Sequence, residues 1–150
     1  MANVNDVAVY ILEKSNTMST MKLQKLVYYC QAWSLVWDEK PLFDSRIEAW
    51  ANGPVTVELF KEHKGRFTAR KDMFPGQPSR LTEPEKTTID AVLDAYGELT
   101  GQQLSDLSHS ERPWQEARQG LAPGAASHAE VSKDTMQEFY GGLQSAAMTG

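Results

Sequence analysis

Residues 20–37 read TMKLQKLVYYCQAWSLVW, a stretch that contains neither glycine nor proline. At 100° per residue, its apolar side chains cover an arc of about 120°, and a second apolar group lies nearly opposite. The arc consists of Leu23, Leu26, Val27, Cys30, Trp33 and Trp37. A helix that is apolar on most of its circumference belongs inside a domain. We therefore expect a central buried helix, with Ser19 or Thr20 as its N-cap.

The composition is that of an ordinary globular domain. The chain has 150 residues, of which 41% are hydrophobic and 23% charged, so residues 1–150 are expected to form a single domain with one core. The lone cysteine, Cys30, lies on the apolar arc, which excludes an internal disulfide and favours a reducing cytoplasm. No apolar run approaches the roughly 20 residues of a membrane span, and no signal peptide is recognisable, so we expect no membrane partner.

Start and stop signals predict further helices around the central one. The predicted starts lie at Asn3, Gly53-Pro54, Thr82, Thr100, Ser110 and Ser132. The β-friendly segments 42–43 and 47–50 predict a short hairpin around 44–46. The fold class is therefore mainly α, a compact single-domain helical bundle around a central buried helix with a minor short β-hairpin. The tail 141–150 is expected to be frayed.

The segment 66–81 is predicted to be a long loop, because it contains two prolines and little periodicity. It is also the basic part of an acidic chain, since residues 61–80 carry six bases and two acids while the net charge is −5. Phe67, Met73 and Phe74 stand there among arginines and lysines, the mixture that protein interfaces prefer. The loop is either a partner-binding surface or simply mobile.

No pattern for catalysis or cofactor binding is present. His63, His109 and His128 lie on separate elements with no second ligand at metal spacing. There is no glycine-rich phosphate loop and no nucleophile elbow. We therefore expect no enzyme, no cofactor and no metal. Nucleic acid is not the expected partner either, because the best candidate recognition helix, Thr100–His109, offers only two glutamines and contains Asp106.

Three ordered segments resemble the Panacea antitoxin domain, the family of SocA-like and phage-associated GepA-like proteins. They are MKLQKLVYY at 21–29 with Ala32-Trp33, then IEAWANGPV at 47–55, and then LSDLSH at 104–109 with RPWQEAR at 112–118. The segment 131–140 resembles the closing helix of the family. The signature residues here are Lys22, Gln24, Lys25, Trp50, Gly53, Pro54, Val55, His109, Trp114 and Arg118.

The resemblance implies an antitoxin of a bacterial or prophage toxin–antitoxin pair, which neutralises a co-encoded toxin by direct protein contact. That toxin could be a small alarmone-synthetase-like protein. Two alternatives stay open: a proteolytic adaptor, with a protease as second partner, and a DNA-binding autorepressor of the operon. The family offers no catalytic residue to carry over. The signature residues can be structural or functional, and Lys22 and Lys25 could pair with acids of the domain.

Specificity for one toxin should lie outside the shared segments. We therefore expect the toxin to contact the loop and the neighbourhood of residues 50–55. The residues predicted to bind the partner are Trp50, Asn52, Pro54, Phe67, Arg70, Lys71, Met73 and Phe74. The sequence does not predict the oligomeric state.

Overall fold

The protein is described here by a computed structural model that covers residues 2–149, with side chains to residue 147. The described chain has seven α-helices and four short strands. The helices are α1 Val4–Ser15, α2 Thr20–Trp37, α3 Val57–His63, α4 Glu83–Tyr96, α5 Gly101–His109, α6 Arg112–Arg118 and α7 Lys133–Thr149. The strands are β1 Met18–Ser19, β2 Ile47–Trp50, β3 Gly53–Thr56 and β4 Thr68–Ala69. The expected mainly helical fold is confirmed.

Helix α2 is the core of the domain, as its apolar circumference predicts. It contacts α1, α4, α5, α7 and the hairpin, and fourteen of its residues are buried. Ser19 is the N-cap, and its hydroxyl accepts from the Lys22 amide. Cys30 and Trp33 lie in the core as expected, whereas Trp37 at the end of the apolar arc is 40% exposed.

The predicted hairpin exists, but its pairing differs from the expectation. Strand β2 pairs with β3, with Ile47 opposite Thr56 and Trp50 opposite Gly53, and it does not pair with residues 42–43. The backbone of 129–131 extends this ladder, because the Ala49 amide donates to Ala129 and the Val131 amide donates to Ile47. The expected helix start at Gly53-Pro54 is also wrong. Helix α3 begins only at Val57, because Gln24 of α2 pairs with the backbone of Thr56.

The side chain of Gln31 takes the place of the strand partner that the sequence predicts for residues 42–43. Its oxygen accepts from the amides of Leu42 and Phe43, and its nitrogen donates to the Phe43 carbonyl. A buried glutamine therefore satisfies the backbone of this segment, so Leu42 and Phe43 enter the core without forming a ladder.

The segment 66–81 is more ordered than a plain loop. Strand β4 pairs with β1, and single 3₁₀ turns follow at Lys71–Met73 and Pro78–Arg80. Phe67 is 81% exposed, but Phe74 is only 6% exposed and contacts the ring of His63. Phe74 therefore does not belong to an exposed mixture of apolar and basic side chains in this segment, because it is buried against His63 of α3.

Several predicted helix ends are observed. Asn3, Thr82 and Thr100 accept from the backbone amides three residues later in reciprocal capping boxes. Ser110 does not cap α6; it ends α5, and Glu111 precedes α6. Helix α7 continues through residue 141 to Thr149, so the expected tail 141–150 is helical as far as it is described; Gly150 lies outside the described residues.

Candidate functional site: the Lys25 pocket and the hairpin clamp

A cavity of about 480 Å³ opens between α2, the β2–β3 hairpin, α3 and the segment 126–128. We call it the Lys25 pocket. It is lined by Thr20, Met21, Gln24, Lys25, Trp50, Ala51, Asn52, Val55, Phe60, His63, Ala126, Ser127 and His128. The volume is in the range that binding sites for small molecules or single side chains occupy. One side is aromatic, since the rings of Trp50 and Phe60 meet edge to face with centroids 4.9 Å apart.

The ammonium of Lys25 is the unusual group in this pocket. Lys25 is 2% exposed, and its Nζ donates to the carbonyl of Pro54 at 3.2 Å. No carboxylate of the described residues forms a salt bridge with it. Burial without a counter-ion lowers the pKa of Lys25 to about 7. The expectation that Lys25 pairs with an acid is wrong.

Lys22 shows the contrast one turn earlier on the same helix. Its side chain is half-buried, and its Nζ donates to the carbonyl of Gly97 at 2.6 Å. Lys22 therefore lies outside the pocket and joins α2 to the end of α4. No acid pairs with it among the described residues, so the expected ion pair is absent here as well.

The side-chain amide of Gln24 joins α2 to the hairpin and to α3 through three hydrogen bonds. Its Oε1 accepts from the Thr56 amide at 2.9 Å, and its Nε2 donates to the Thr56 carbonyl at 3.1 Å. This double pairing fixes the orientation of the amide. Gln24 Nε2 then donates its second hydrogen to His63 Nε2 at 3.0 Å, which requires a neutral imidazole. Burial lowers the pKa of His63 and favours that form.

Side chains from α5 and α6 donate to three carbonyl groups of the hairpin, and we call these side chains the hairpin clamp. Arg118 donates to Ala49 at 2.9 Å, Trp114 donates to Trp50 at 2.8 Å, and Ser105 donates to Asn52 at 2.7 Å. The ring of Trp114 stacks on that of His109, with centroids 4.2 Å apart, and the guanidinium carbon of Arg118 lies 4.8 Å from the Trp114 ring centroid. The clamp therefore fixes the turn that carries the rim of the pocket.

Gly53 is required by two features of this turn. Its φ of +115° is a conformation that side-chain-bearing residues rarely adopt. A Cβ at this position would lie 2.5 Å from Lys25 Cε and 3.1 Å from Ser108 Oγ. The glycine thus allows the lysine stem to pass directly against the hairpin backbone, where Nζ reaches Pro54.

Residues 122–128, which include the pocket residues 126–128, are held in place by hydrogen bonds with Arg118 and Glu48. Arg118, besides Ala49, donates to the carbonyls of Ala122, Pro123 and Ala125. His128 contacts Glu48 at 3.1 Å, and the same carboxylate oxygen accepts from the Trp50 indole at 2.9 Å. The hydrogen bonds from Trp50 and His128 lower the pKa of Glu48 against the opposing effect of burial.

The residues that we expected to bind the partner fall into three places. Trp50 and Asn52 line the Lys25 pocket, and the backbone of Phe67 is adjacent to it, because the Phe67 carbonyl accepts from the amide of the pocket residue Thr20. Arg70 and Lys71 lie elsewhere, in a cleft beside the end of α1. The rest are Pro54 and Phe74, which are buried, and Met73, which is half-buried.

Arg70 and Lys71 are more than half exposed. They form salt bridges with Asp72 at 3.5 Å and with Glu13 at 3.8 Å. Exposed pairs of this kind contribute little to stability. The two basic side chains are therefore accessible to a partner, but at a site distinct from the pocket.

Sequence reasoning missed the pocket residues Met21, Phe60, His63 and His128. They come from three segments of the chain, α2, α3 and residues 126–128, and only the fold brings these segments together. The glutamine and lysine of the LQK segment were the available signal, because both occupy the buried circumference of an otherwise apolar helix. Within the described residues, no group of three or more His, Cys, Asp or Glu is arranged to hold a metal ion.

The comparisons with known proteins agree on one family. Residues 23–115 match the model of the family described as "Antitoxin SocA-like, Panacea domain". The chain is also similar to Antitoxin SocA of Caulobacter vibrioides, with 29% identity over 124 residues. That alignment covers 72% of this chain and 66% of the relative, so the chain spans just under two thirds of the relative's length. No solved structure matches significantly.

The matched region runs from α2 to α6 and thus contains the hairpin, most of the pocket lining and most of the clamp. None of the helices in residues 2–149 has the length and apolar character needed to cross a membrane. The expected family is confirmed by the match over more than half of the sequence: the chain belongs to the SocA-like antitoxins that carry the Panacea domain.

Proposed function

We propose that this chain neutralises a co-encoded toxin in the cytoplasm by binding it directly, with the mouth of the Lys25 pocket as the centre of the contact surface. The family is one of antitoxins, and the similar SocA protein carries that name. Antitoxin activity by occlusion needs a preformed surface and no bond-making chemistry. The toxin partner, the direct contact and the absence of enzymatic activity are all part of this proposal.

The rigid turn of the hairpin is the observation that supports this surface. The clamp holds the carbonyls of residues 49, 50 and 52, so the exposed Asn52 and the half-buried Trp50 are held in place before any partner binds. Preorganisation of this kind reduces the entropy that binding would otherwise lose. The exposed Phe67 beside the pocket adds the apolar area that interface centres need.

The face of α5 gives no support to DNA binding. Gln102 donates to Asp106 at 2.9 Å, so one of its two exposed glutamines already has an acidic partner that would repel phosphates. A gel shift with the upstream DNA checks the autorepressor alternative, for which affinity should fall steeply with salt. The proteolytic adaptor alternative requires a second partner, and loss of neutralisation in a strain without the protease would identify it.

Co-expression with the product of the adjacent reading frame tests the proposal. Growth should be restored, and the two proteins should purify together. Phe67→Asp should weaken the complex by about tenfold or more, because it places a charge on the apolar edge of the surface. Leu143→Asp is the matched control, since Leu143 is also an exposed apolar residue, at 44%, but lies on α7.

Persistent toxicity with excess antitoxin would contradict the proposal. Equal weakening by Phe67→Asp and Leu143→Asp would contradict the location of the surface while leaving the antitoxin role intact. A melting temperature measured for both variants separates loss of binding from loss of fold.

A further inference from the structure

We propose that the Lys25 pocket receives a carboxylate of the bound toxin, carried on a Glu side chain or on an apolar chain end, and that the Lys25 ammonium is its counter-ion. The inference rests on the proposed function, because it names the chemistry of the partner at that same surface. It also assigns a binding role to Lys25, which the sequence analysis identifies only as a signature residue of the family.

The first argument is the unused hydrogen-bonding capacity of the ammonium. An ammonium has three donors, and within the described residues Lys25 uses one, on the Pro54 carbonyl. A buried charge without a counter-ion is among the costliest groups in a folded protein. Elsewhere in this chain, buried polar side chains such as Gln24, Gln31 and Arg118 have several partners each. Lys25 alone of these four lacks them, and it lines a cavity.

The second argument is the kind of anion that the cavity suits. Its two other titratable side chains are His63, held neutral by Gln24, and His128, which already faces Glu48. A single cation with a neutral imidazole beside it matches a monoanion such as a carboxylate better than a phosphate dianion. The remaining lining is largely apolar, with Met21, Val55 and Phe60, so the carboxylate should be attached to an apolar body.

The third argument is the position of the pocket. It opens beside Asn52 and Phe67, on the surface proposed to meet the toxin, so a group projecting from the toxin can enter without moving the hairpin. The net charge of the whole chain is −5, so an acidic group of a partner is attracted here only by a local cation.

The replacement Lys25→Met removes the charge but keeps an unbranched side chain of similar length. The proposal expects the affinity for the adjacent gene product to fall by at least about thirtyfold, the effect of losing one partner of a buried charge pair. The control is Lys22→Met, which removes an ammonium that also donates to a single carbonyl but lies outside the pocket; its affinity should change less than about threefold.

A small probe tests the site without the toxin. 4-Phenylbutanoate, an apolar body with one carboxylate, should bind the free protein, while 4-phenylbutanamide and the Lys25→Met variant should give no binding. At about pH 8 binding should take up a proton, because the carboxylate raises the lowered pKa of Lys25. The other ionisable groups near this ammonium are His63 and His109, whose lowered pKa values keep them neutral at that pH. The measurement is titration calorimetry in two buffers of different ionisation enthalpy.

The outcomes separate the inference from the proposed function. Binding of the probe in competition with the toxin supports the inference. Binding without competition shows a pocket for a free organic acid and overturns the assignment to the toxin. Equal toxin affinity of wild type and Lys25→Met overturns the inference and leaves the antitoxin role standing. Absence of any toxin complex is a failure of the proposed function, and in that case failure of the probe to bind overturns the anion site itself.

Discussion

Two buried charged groups lie at successive turns along α2, and their surroundings differ. Glu111 is 7% exposed, and its Oε1 accepts from the hydroxyls of Tyr29 and Tyr140, each at 2.7 Å. Tyr28 and Tyr140 are in contact at 3.0 Å. Since the single hydrogen of Tyr140 goes to the carboxylate, Tyr28 is the donor to Tyr140. We call this group the tyrosine cluster; it is densely packed, and burial raises the pKa of Glu111 despite its tyrosine donors.

Lys25 lies one helical turn before Tyr29 and has the opposite surroundings. Its ammonium has one carbonyl partner and its side chain lines a cavity, whereas the Glu111 carboxylate has two hydroxyl partners and is surrounded by packed rings. Burial alone therefore does not identify a functional charge. The satisfied charge stabilises the fold, and the under-satisfied charge beside a cavity is available to a ligand.

The largest effect on stability should come from the tyrosine cluster. Glu111→Ala leaves two buried hydroxyls without their acceptor and opens a cavity, so the free energy of unfolding should fall by about 4 kcal/mol. Glu116→Ala, which removes an exposed carboxylate of α6, should change it by less than about 0.5 kcal/mol. Urea denaturation measures both. Equal values would mean that the cluster is not a stability element.

The next effect concerns the backbone around Lys25. Gly53→Ala should destabilise the protein by about 3 kcal/mol, through positive φ and the clash with the Lys25 stem. Gly65→Ala is the matched control, because Gly65 has a φ of +81° but no atom within 4 Å of a built Cβ, and should lose about 1 kcal/mol. The difference between the two measures the contact with Lys25, and a difference near zero would contradict it.

Removing the Lys25 ammonium should stabilise the protein, in contrast to the two replacements above. Lys25→Met should raise the free energy of unfolding by about 2 kcal/mol, because an unpaired buried charge is replaced by an apolar side chain. A loss of stability would show that the ammonium is a structural group like Glu111. Chemical denaturation at pH 7 is sufficient for this test.

The pH dependence of the free energy of unfolding should differ between the wild type and Lys25→Met. The Lys25 pKa is about 7 in the folded chain and about 10.4 in the unfolded chain. Between these values the unfolded chain binds the extra proton, so stability should rise with pH, by at most about 1.4 kcal/mol per unit. Comparing the wild type with Lys25→Met between about pH 7.5 and 9 isolates this slope, since the raised pKa values of the buried tyrosines act only above about pH 10. Parallel curves would contradict the lowered pKa.

The smallest effect on stability should come from the cleft beside α1. Charge reversal of Arg70 and Lys71 should leave the melting temperature within about 1 °C, because both form only exposed ion pairs. If the basic loop also contacts the toxin, affinity should fall in this double variant, as measured by calorimetry. Unchanged affinity would confine the contact to the pocket face.

Much of the fold could be predicted because its signals are local. The apolar circumference of 20–37 predicts a buried helix wherever it is placed, and the capping boxes at Thr82 and Thr100 use residues three positions apart. The hairpin was misplaced because Gly53-Pro54 is equally typical of a helix start and of a turn. The choice depends on Gln24, which pairs with Thr56 at 32 positions' separation.

The candidate site could be predicted less completely. Trp50 and Asn52 were identified because they lie beside a turn, which is a local feature. The pocket itself, the seat of Phe74 and the burial of Lys25 depend on contacts among distant segments. A lysine is usually solvated, so a sequence reading places it at the surface or beside an acid. Only the three-dimensional structure shows that Lys25 is neither exposed to solvent nor paired with an acid.

Hydrogen exchange in the complex with the product of the adjacent reading frame shows whether the toxin covers the Lys25 pocket. Binding should slow amide exchange in residues 19–22, 50–56, 60–64 and 126–128, which surround the Lys25 pocket, and leave exchange on the exposed face of α4 unchanged. Protection confined to α4 or α7, with unaltered exchange around the pocket, would contradict it.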